Sequence, residues 1–495
     1  MDFSTIFFIW VYLPATLVLI YGISFLVVDK SRRIQISNGV LLILSLWFYS
    51  WAGIKATVLM VCIVIINYLC GVWIHRAGDK KRRSRLVTSI CFNVLTLAVF
   101  KYGNMLIAIA EILKETDDYY SKKLLRELLS PERTGAINIQ DITLLLAISF
   151  VTFQSISYHV DVYKKKTEPA ANLMEFTLYE LLFFQLVQGP IIRFGDIRTQ
   201  ISNRTITADK SYDGIRRFCQ GLAKKVLIAN TLAPVVDGIW GLKLSSIGTI
   251  DAWIGIILYA FQIYYDFSGY SDMAIGLGKM LGFEICENFD HPYISESIQE
   301  FWRRWHISLS SWFKDYIYIP LGGNRKGQRR TLVNLTIVFL ITGIWHGADW
   351  TFLLWGLWFA LIQIIERLLL LKHLKKDGWH VLKRLYAFLI VVIGWVLFRA
   401  PDIFKAIDYY KVMFSVSERT SSYGWYSFTD YKFLIAVVAA IAFSGILGRY
   451  SERYKRMTNT NTGMVIDAAI HFVLLSLAII QILSGSYNPS IYAGF

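Results

Sequence analysis

Several stretches of this chain run for about 20 residues with almost no charge, the length a helix needs to cross a bilayer. They recur from one end to the other. That repetition decides the solvent before anything else. With 55% hydrophobic residues and a mean hydropathy of +0.45 over 495 residues, the chain is too apolar for an ordinary soluble domain. It reads as an all-α, polytopic membrane protein. No long Gly/Ser/Pro-rich linker and no short-period repeat divides it, so residues 1–495 read as a single membrane-embedded domain.

The net charge of +15 would suit nucleic acid if it formed one patch. Instead, Lys and Arg sit in short clusters between the apolar runs, which is how membrane topology is encoded. A nucleic-acid partner is therefore not expected, and the lipid bilayer is. The cysteines at 62, 70, 91, 219 and 286 form no CxxC pair, which argues against a disulfide framework or a thiolate metal site. The N-terminus, MDFSTIFFIWVYLP, lacks a basic region and a cleavage site. It reads as a retained first span.

Spans are expected near Thr5–Val28, Ser37–Trp51, Thr57–Ile74, Leu86–Leu113 and Ile142–Tyr163. Basic loops follow at 29–33, 76–85 and 164–166. With the N-terminus outside, all three fall inside, in keeping with the positive-inside rule. A mixed-charge stretch at 114–140 then falls outside, with a short surface helix near Tyr120–Leu129. In the middle of the chain, Gly189-Pro190 breaks a short apolar segment at 180–194, which reads as re-entrant. Residues 211–240, with Arg216, Arg217, Lys224 and Lys225, read as an interfacial helix. Trp253–Leu281 is a long apolar stretch interrupted by Asp266, Ser268, Ser271 and Asp272.

Further spans are expected near Leu332–Trp345, Thr351–Leu371, Leu385–Phe398, Lys432–Leu447 and Met464–Leu483. Basic clusters at 372–376 and 449–456 would lie inside, which puts the C-terminus outside. The total is about eleven spans plus re-entrant pieces.

Residues 300–319 differ from all of these. Trp302, Trp305, Leu309, Trp312 and Tyr316 recur at helical steps, so the pattern predicts one helix with an aromatic face. It carries too many charges for lipid exposure, and His306 sits beside the aromatic stripe. An apolar span follows and ends at His346 in Trp-His-Gly, 40 residues after His306.

Ionisable groups at membrane depth are functional candidates. His75, His373 and His380 fall at span ends or in loops, and His291 in a turn. His159 and His471 read as hydrogen-bonded packing residues. His306 and His346 stand apart, each flanked by Trp and each at a break in the apolar pattern. They fit either two interfacial aromatic belts or a histidine base in a water-restricted tunnel. A zinc site would need a third ligand and a spacing signature such as HExxH, and a serine hydrolase a GxSxG elbow; neither motif appears. No metal is expected. Asp266 and Asp272 would cap helices, pair with an arginine such as Arg303 or Arg304, or act as cation ligands in an ion-coupled transporter.

The run YAFQIYYDFSGYSDMAIGLGKMLGFEICENFDHPYISESIQEFWRRWHISLSSWFKDYIYIPLGGNR (259–325), followed by WHGADW (345–350), resembles the membrane-bound O-acyltransferases, and within them the alginate O-acetyltransferase branch. QLVQGPIIRF (185–194) and SFVTFQSISYHVDVY (149–163) support the resemblance, with a motif core at 259–350. The resemblance implies a ring of transmembrane helices, with re-entrant pieces, around a central tunnel. It implies that His346, of the Trp-His-Gly motif, is catalytic. His306, of RWHISLS, would be its partner, either catalytic or supporting. Trp345 and Trp305, with Asp266 and Asp272, would line the tunnel.

On this reading the chain binds no cofactor. An acetyl-CoA or other acyl thioester, on CoA or on a carrier protein, donates from the inner face. The positive charges at 303–304 and 325–330 would receive it or would only fix topology. An extracytoplasmic protein would accept the acyl group and pass it to an envelope polysaccharide. A D-alanyl transferase for teichoic acid is the alternative within the fold. The expected location is the cytoplasmic membrane.

Overall fold

A computed structural model describes residues 2–114, 147–186, 188–347, 349–370, 378–416, 418, 420, 423–446, 458, 460–485 and 487–489. Among them the regular structure is helical, and strands are absent. The chain is a multi-pass membrane protein. Over its described residues, each expected span falls largely on helix. Six of these helices are long and apolar enough to cross a membrane: Phe8–Leu26, Ile54–His75, Asp79–Tyr102, Trp350–Leu370, His380–Arg399 and Asn461–Leu483. The expected helix near Tyr120–Leu129 and the basic clusters at 372–376 and 449–456 lie outside the described residues.

Helix starts follow ordinary capping chemistry. Asp29, Asn172, Thr207, Ser297 and Asp402 each accept a hydrogen bond from the backbone N–H three residues on. The helices used below are α1 (Lys30–Ser50), α2 (Asp79–Lys114), α3 (Ile148–Tyr163), α4 (Leu173–Leu181), α5 (Phe194–Ser202), α6 (Ala208–Ala223) and α7 (Thr249–Met280). After them come α8 (Ile298–Arg304), α9 (Ile307–Phe313), α10 (Gly327–His346), α11 (Trp350–Ile365) and α12 (His380–Arg399).

Contacts across the fold hold the helix ends near the basic loops. Arg82 Nη2 donates to Val162 O at 2.7 Å, at the end of α3. Asn38 Nδ2, in α1, donates to Ile201 O at 2.9 Å. The Tyr21 hydroxyl reaches Ser211 Oγ at 2.9 Å and Met280 O at 3.1 Å. Arg82 thus ties the loop at 76–85 to the one at 164–166.

The centre of the molecule is α7. Its 32 residues make a helix about 48 Å long at 1.5 Å per residue. From Gly255 onward it is buried almost all round, the mark of a helix enclosed by protein. The polar residues at 266–272 do not interrupt it. The partners of Asp266 and Asp272 come from α6 and from the π-helical turn Lys224–Ala229 that continues it.

Here the structure corrects the interfacial reading of 211–240. Gly214 and Gly221 of α6 press against Gly276 and Gly269 of α7. A methyl group on any of the four would lie 2.5–2.7 Å from the carbonyl oxygen of the facing glycine. Backbones this close leave no room for a lipid surface between them. The basic residues of α6 and of the turn after it face carboxylates instead. Arg216 Nε is 2.7 Å from Asp467, and Arg217 and Lys224 bind Asp272. We expect Gly221→Ala to destabilise the fold by about 1–3 kcal/mol, the usual result of forcing atoms into a packed interface. Thermal unfolding of the detergent-solubilised protein reads this. An unchanged midpoint would mean that the two helices separate freely.

The expected single helix over 300–319 is also corrected. It is two short helices, α8 and α9, with a π-helical turn at Lys314–Tyr318, and the chain breaks between α8 and α9 at Trp305–His306. His306 has φ 45° and ψ 56°, the left-handed region. For a residue with a side chain this costs on the order of 1–2 kcal/mol. The preceding loop compensates for the lost helical bonds. Asp290 N donates to Arg304 O, and Ile307 N donates to Asn288 O, both at 2.9 Å.

Residues 182–193 carry no helix among those described, and they are almost wholly buried. Irregular backbone at membrane depth needs protein partners. Tyr270 OH donates to Leu186 O at 2.9 Å and Tyr179 OH to Ile192 O at 3.1 Å, while Ile191 N donates to Ser308 Oγ at 3.0 Å.

Candidate active site

His306 and His346 each stand at the end of a helix. His306 stands at the αL break before α9, and His346 is the last residue of α10. Both are buried, and the two imidazoles lie within electrostatic reach of each other.

The end of α10 is fixed from two sides. Gly343 and Gly356 let α10 and α11 touch. A methyl on Gly343 would meet Phe352 O at 2.4 Å, and one on Gly356 would meet Phe339 O at 2.3 Å. Gly347 admits the Phe352 ring, which a methyl there would approach to 2.4 Å. From the other side, the Lys101 ammonium donates to the Trp345 carbonyl and sits 5.3 Å from the Trp345 ring centre. The Tyr102 hydroxyl donates to Ile344 O. A cation at a helix C-terminus answers both the open carbonyls and the helix dipole. Lys101 is also within electrostatic reach of His346.

Aromatic rings enclose the His346 imidazole. Trp345 lies at 4.6 Å between ring centres, Trp355 at 5.0 Å and Phe398 at 5.1 Å, the last two edge-on. His306 meets the Phe267 ring edge-on at 4.7 Å. Its Nδ1 lies 3.0 Å from Asn288 Oδ1, the same oxygen that accepts from Ser308 Oγ at 2.8 Å.

The two tryptophans named from sequence fall in different surroundings. Trp345 packs beside His346 and against Phe153 at 5.2 Å. Trp305 is buried among Phe289, Phe301 and Trp395, at 5.1, 5.5 and 5.0 Å. Asp266 and Asp272 are held in ion pairs. Asp266 pairs with Lys225, both nearly inaccessible. Asp272 binds Arg217 Nη2 at 2.7 Å and Lys224 Nζ at 2.6 Å. The expected arginine partners are therefore corrected: Arg304 binds Glu300 and Asp290 instead. Carboxylates bound this way are charge-compensated structural groups.

Of the other histidines, His159 Nε2 is 2.9 Å from Asn67 O. His471 lies between Asp467 O at 2.7 Å and Gln220 Nε2 at 2.9 Å. Both are packing residues with partners. His75, His291 and His380 lie at the surface beside acidic side chains, and His373 lies outside the described residues. Among the described residues, no three His, Cys, Asp or Glu side chains are grouped to hold a metal ion. Sequence reasoning missed Lys101, Tyr102, Asn288 and Ser308. Lys101 and Tyr102 lie inside the expected span Leu86–Leu113 and are passed over with it, while Asn288 looks like a turn former.

This all-helical membrane body, with its two buried imidazoles, is that of a transferase fold, and the chain belongs to the membrane-bound O-acyltransferase family. It is an acyltransferase. The profile of that family matches residues 169–398. The chain is 36% identical to a "Probable alginate O-acetylase" of Pseudomonas putida over the whole of both chains. It is 32% identical to a peptidoglycan O-acetyltransferase of Helicobacter pylori, over 75% of this chain and 73% of that one. A teichoic acid D-alanyltransferase of Streptococcus thermophilus is 29% identical over 46% of this chain and 58% of its own.

Proposed function

We propose that this protein is an O-acetyltransferase of the cytoplasmic membrane. It moves an acetyl group from a thioester at the inner face towards an envelope polysaccharide, by way of an extracytoplasmic acyl-accepting protein. The observation that supports this reading is that His306 and His346 are both buried among aromatic rings, in a chain of the membrane-bound O-acyltransferase family. The two O-acetyl-transferring relatives match far more of the chain than the D-alanyl one. That difference favours acetyl and a glycan acceptor.

His346 is the general base. Its neutral imidazole takes the proton of the acceptor hydroxyl as the oxygen attacks the thioester carbonyl. The C–O bond forms, a tetrahedral oxyanion collapses, and the C–S bond breaks. The proton held on the imidazole then passes to the leaving thiolate. Trp345, Trp355 and Phe398 keep water from competing for the acyl group. The donor is an acyl thioester of CoA or of a carrier protein, and no resident cofactor takes part. The basic loops face the cytoplasm, so both termini lie outside.

Mass spectrometry of envelope glycans from a deletion strain and its complemented parent tests the reading. Loss of acetyl esters on deletion and their return on complementation is the expected result. Loss of D-alanyl esters in their place would reassign the acyl group, and unchanged esters would remove the reading altogether.

A further inference from the structure

The second histidine has one ring nitrogen whose state the surrounding hydrogen bonds decide. Asn288 is fully buried, and its side-chain oxygen faces three groups. One is the backbone N–H of Ser308, 3.3 Å away. A backbone N–H only donates, so the Asn288 atom it faces must be the oxygen. This removes the usual ambiguity of an amide side chain. The surrounding polarity agrees. Ile191 N–H donates to Ser308 Oγ, which spends its one hydrogen on Asn288 Oδ1 at 2.8 Å. At the other end of the amide, Asn288 Nδ2 donates to Ser271 Oγ at 3.0 Å, and Ser271 donates onward to Gln188 O at 3.4 Å. Turning the amide over would set N–H against N–H at one end and leave Ser271 without its donor at the other.

His306 Nδ1 lies 3.0 Å from that same oxygen. An acceptor-only atom requires the ring nitrogen to donate. We infer that Asn288 is a positioning residue that holds neutral His306 as the tautomer with its proton on Nδ1, so that Nε2 presents a bare lone pair in the active site. The inference rests on the acyl-transfer reading for its consequence. A bare Nε2 accepts a hydrogen bond and does not give one. His306 therefore orients a donor other than the reacting hydroxyl, whose single hydrogen goes to His346, and does not stabilise the oxyanion. Asn288 acts through His306 and does not touch substrate. Its own backbone fixes its place, because Asn288 O accepts from Ile307 N in the bond that sustains the αL turn at His306.

The test uses the full-length protein in lipid nanodiscs, labelled with 15N-histidine. The His306 signals are identified by their loss in His306→Gln. The wild type is expected to show a protonated Nδ1 and an unprotonated Nε2 on His306. Asn288→Asp keeps an acceptor at the same place. It should keep that pattern and most of the acetyl transfer from acetyl-CoA. Asn288→Ala should give mixed tautomers and about a 10²-fold lower kcat, with the KM for acetyl-CoA little changed. A wild-type spectrum with the proton on Nε2 overturns the inference, whatever the variants do. So does Asn288→Ala with an unaltered tautomer and unaltered kcat. If the wild type shows the stated tautomer yet transfers no acetyl group, the proposed function fails while the assignment of Asn288 stands.

Discussion

Acyl transfer falls by roughly 10²–10⁴-fold when His346 is replaced by alanine, the range expected on removing a general base. The readout is transfer of labelled acetyl from acetyl-CoA by purified protein in nanodiscs, alongside glycan esters in the complemented strain. Alanine also removes a ring that packs edge-on to Trp355 and Phe398, so packing loss must be separated from lost chemistry. His346→Gln serves for that. It keeps bulk and polarity but cannot carry a proton between oxygen and sulfur. Both variants should insert, and thermal unfolding should place the glutamine variant near wild type. If either keeps more than a tenth of the wild-type turnover, His346 is not the base. A change confined to KM would mean that it binds substrate and does no proton transfer.

The second large effect concerns Asp266 and Lys225. Their side chains are each about 3% exposed, and Lys225 Nζ also donates to Pro489 O at 2.5 Å. Asp266→Ala leaves a buried ammonium without its counter-charge. Breaking such a pair costs about 3–5 kcal/mol, enough to remove most folded protein from the membrane. The double change Asp266→Leu with Lys225→Met removes both charges together. It should restore the protein level and also acyl transfer, because neither group takes part in the chemistry. Fluorescence-detected size exclusion measures the first and acetyl transfer the second. A well-folded double variant without activity would return Asp266 to the reaction. An ion-coupled transporter would lose its coupling in that same variant.

Much of this architecture is readable from the chain. Apolar runs and the basic clusters between them locate the helices, because no other structure satisfies a backbone in lipid. The Arg82 contact joins two of the basic loops, at 76–85 and 164–166. The break at His306 is different. The aromatic period runs through it without a fault, and no Gly or Pro marks it. It exists because Asn288 and Asp290, from a loop many residues earlier, supply the hydrogen bonds that the helix gives up. A local pattern carries no trace of such a distant partner. The same holds for α6. Its Arg and Lys residues look like a membrane-surface face until their carboxylates on α7 and at Asp467 are seen. At the candidate site, His306 and His346 stand out as residues, and both are buried among aromatic rings. Lys101 and Asn288 do not stand out, because their meaning is a contact across the fold.

The four glycines between α6 and α7 also bear on how this protein can change over time. When two side chains meet in a core, a larger residue on one helix can be answered by a smaller one on the other. Here both sides already carry the smallest residue there is. No second substitution can make room for a first, so the two positions of each contact cannot drift as a pair. The seven-residue spacing on both helices repeats this constraint along the seam. Two helices so locked offer lineages no gradual path to another crossing angle, and diversification of the enzyme is left to the loops and outer helices.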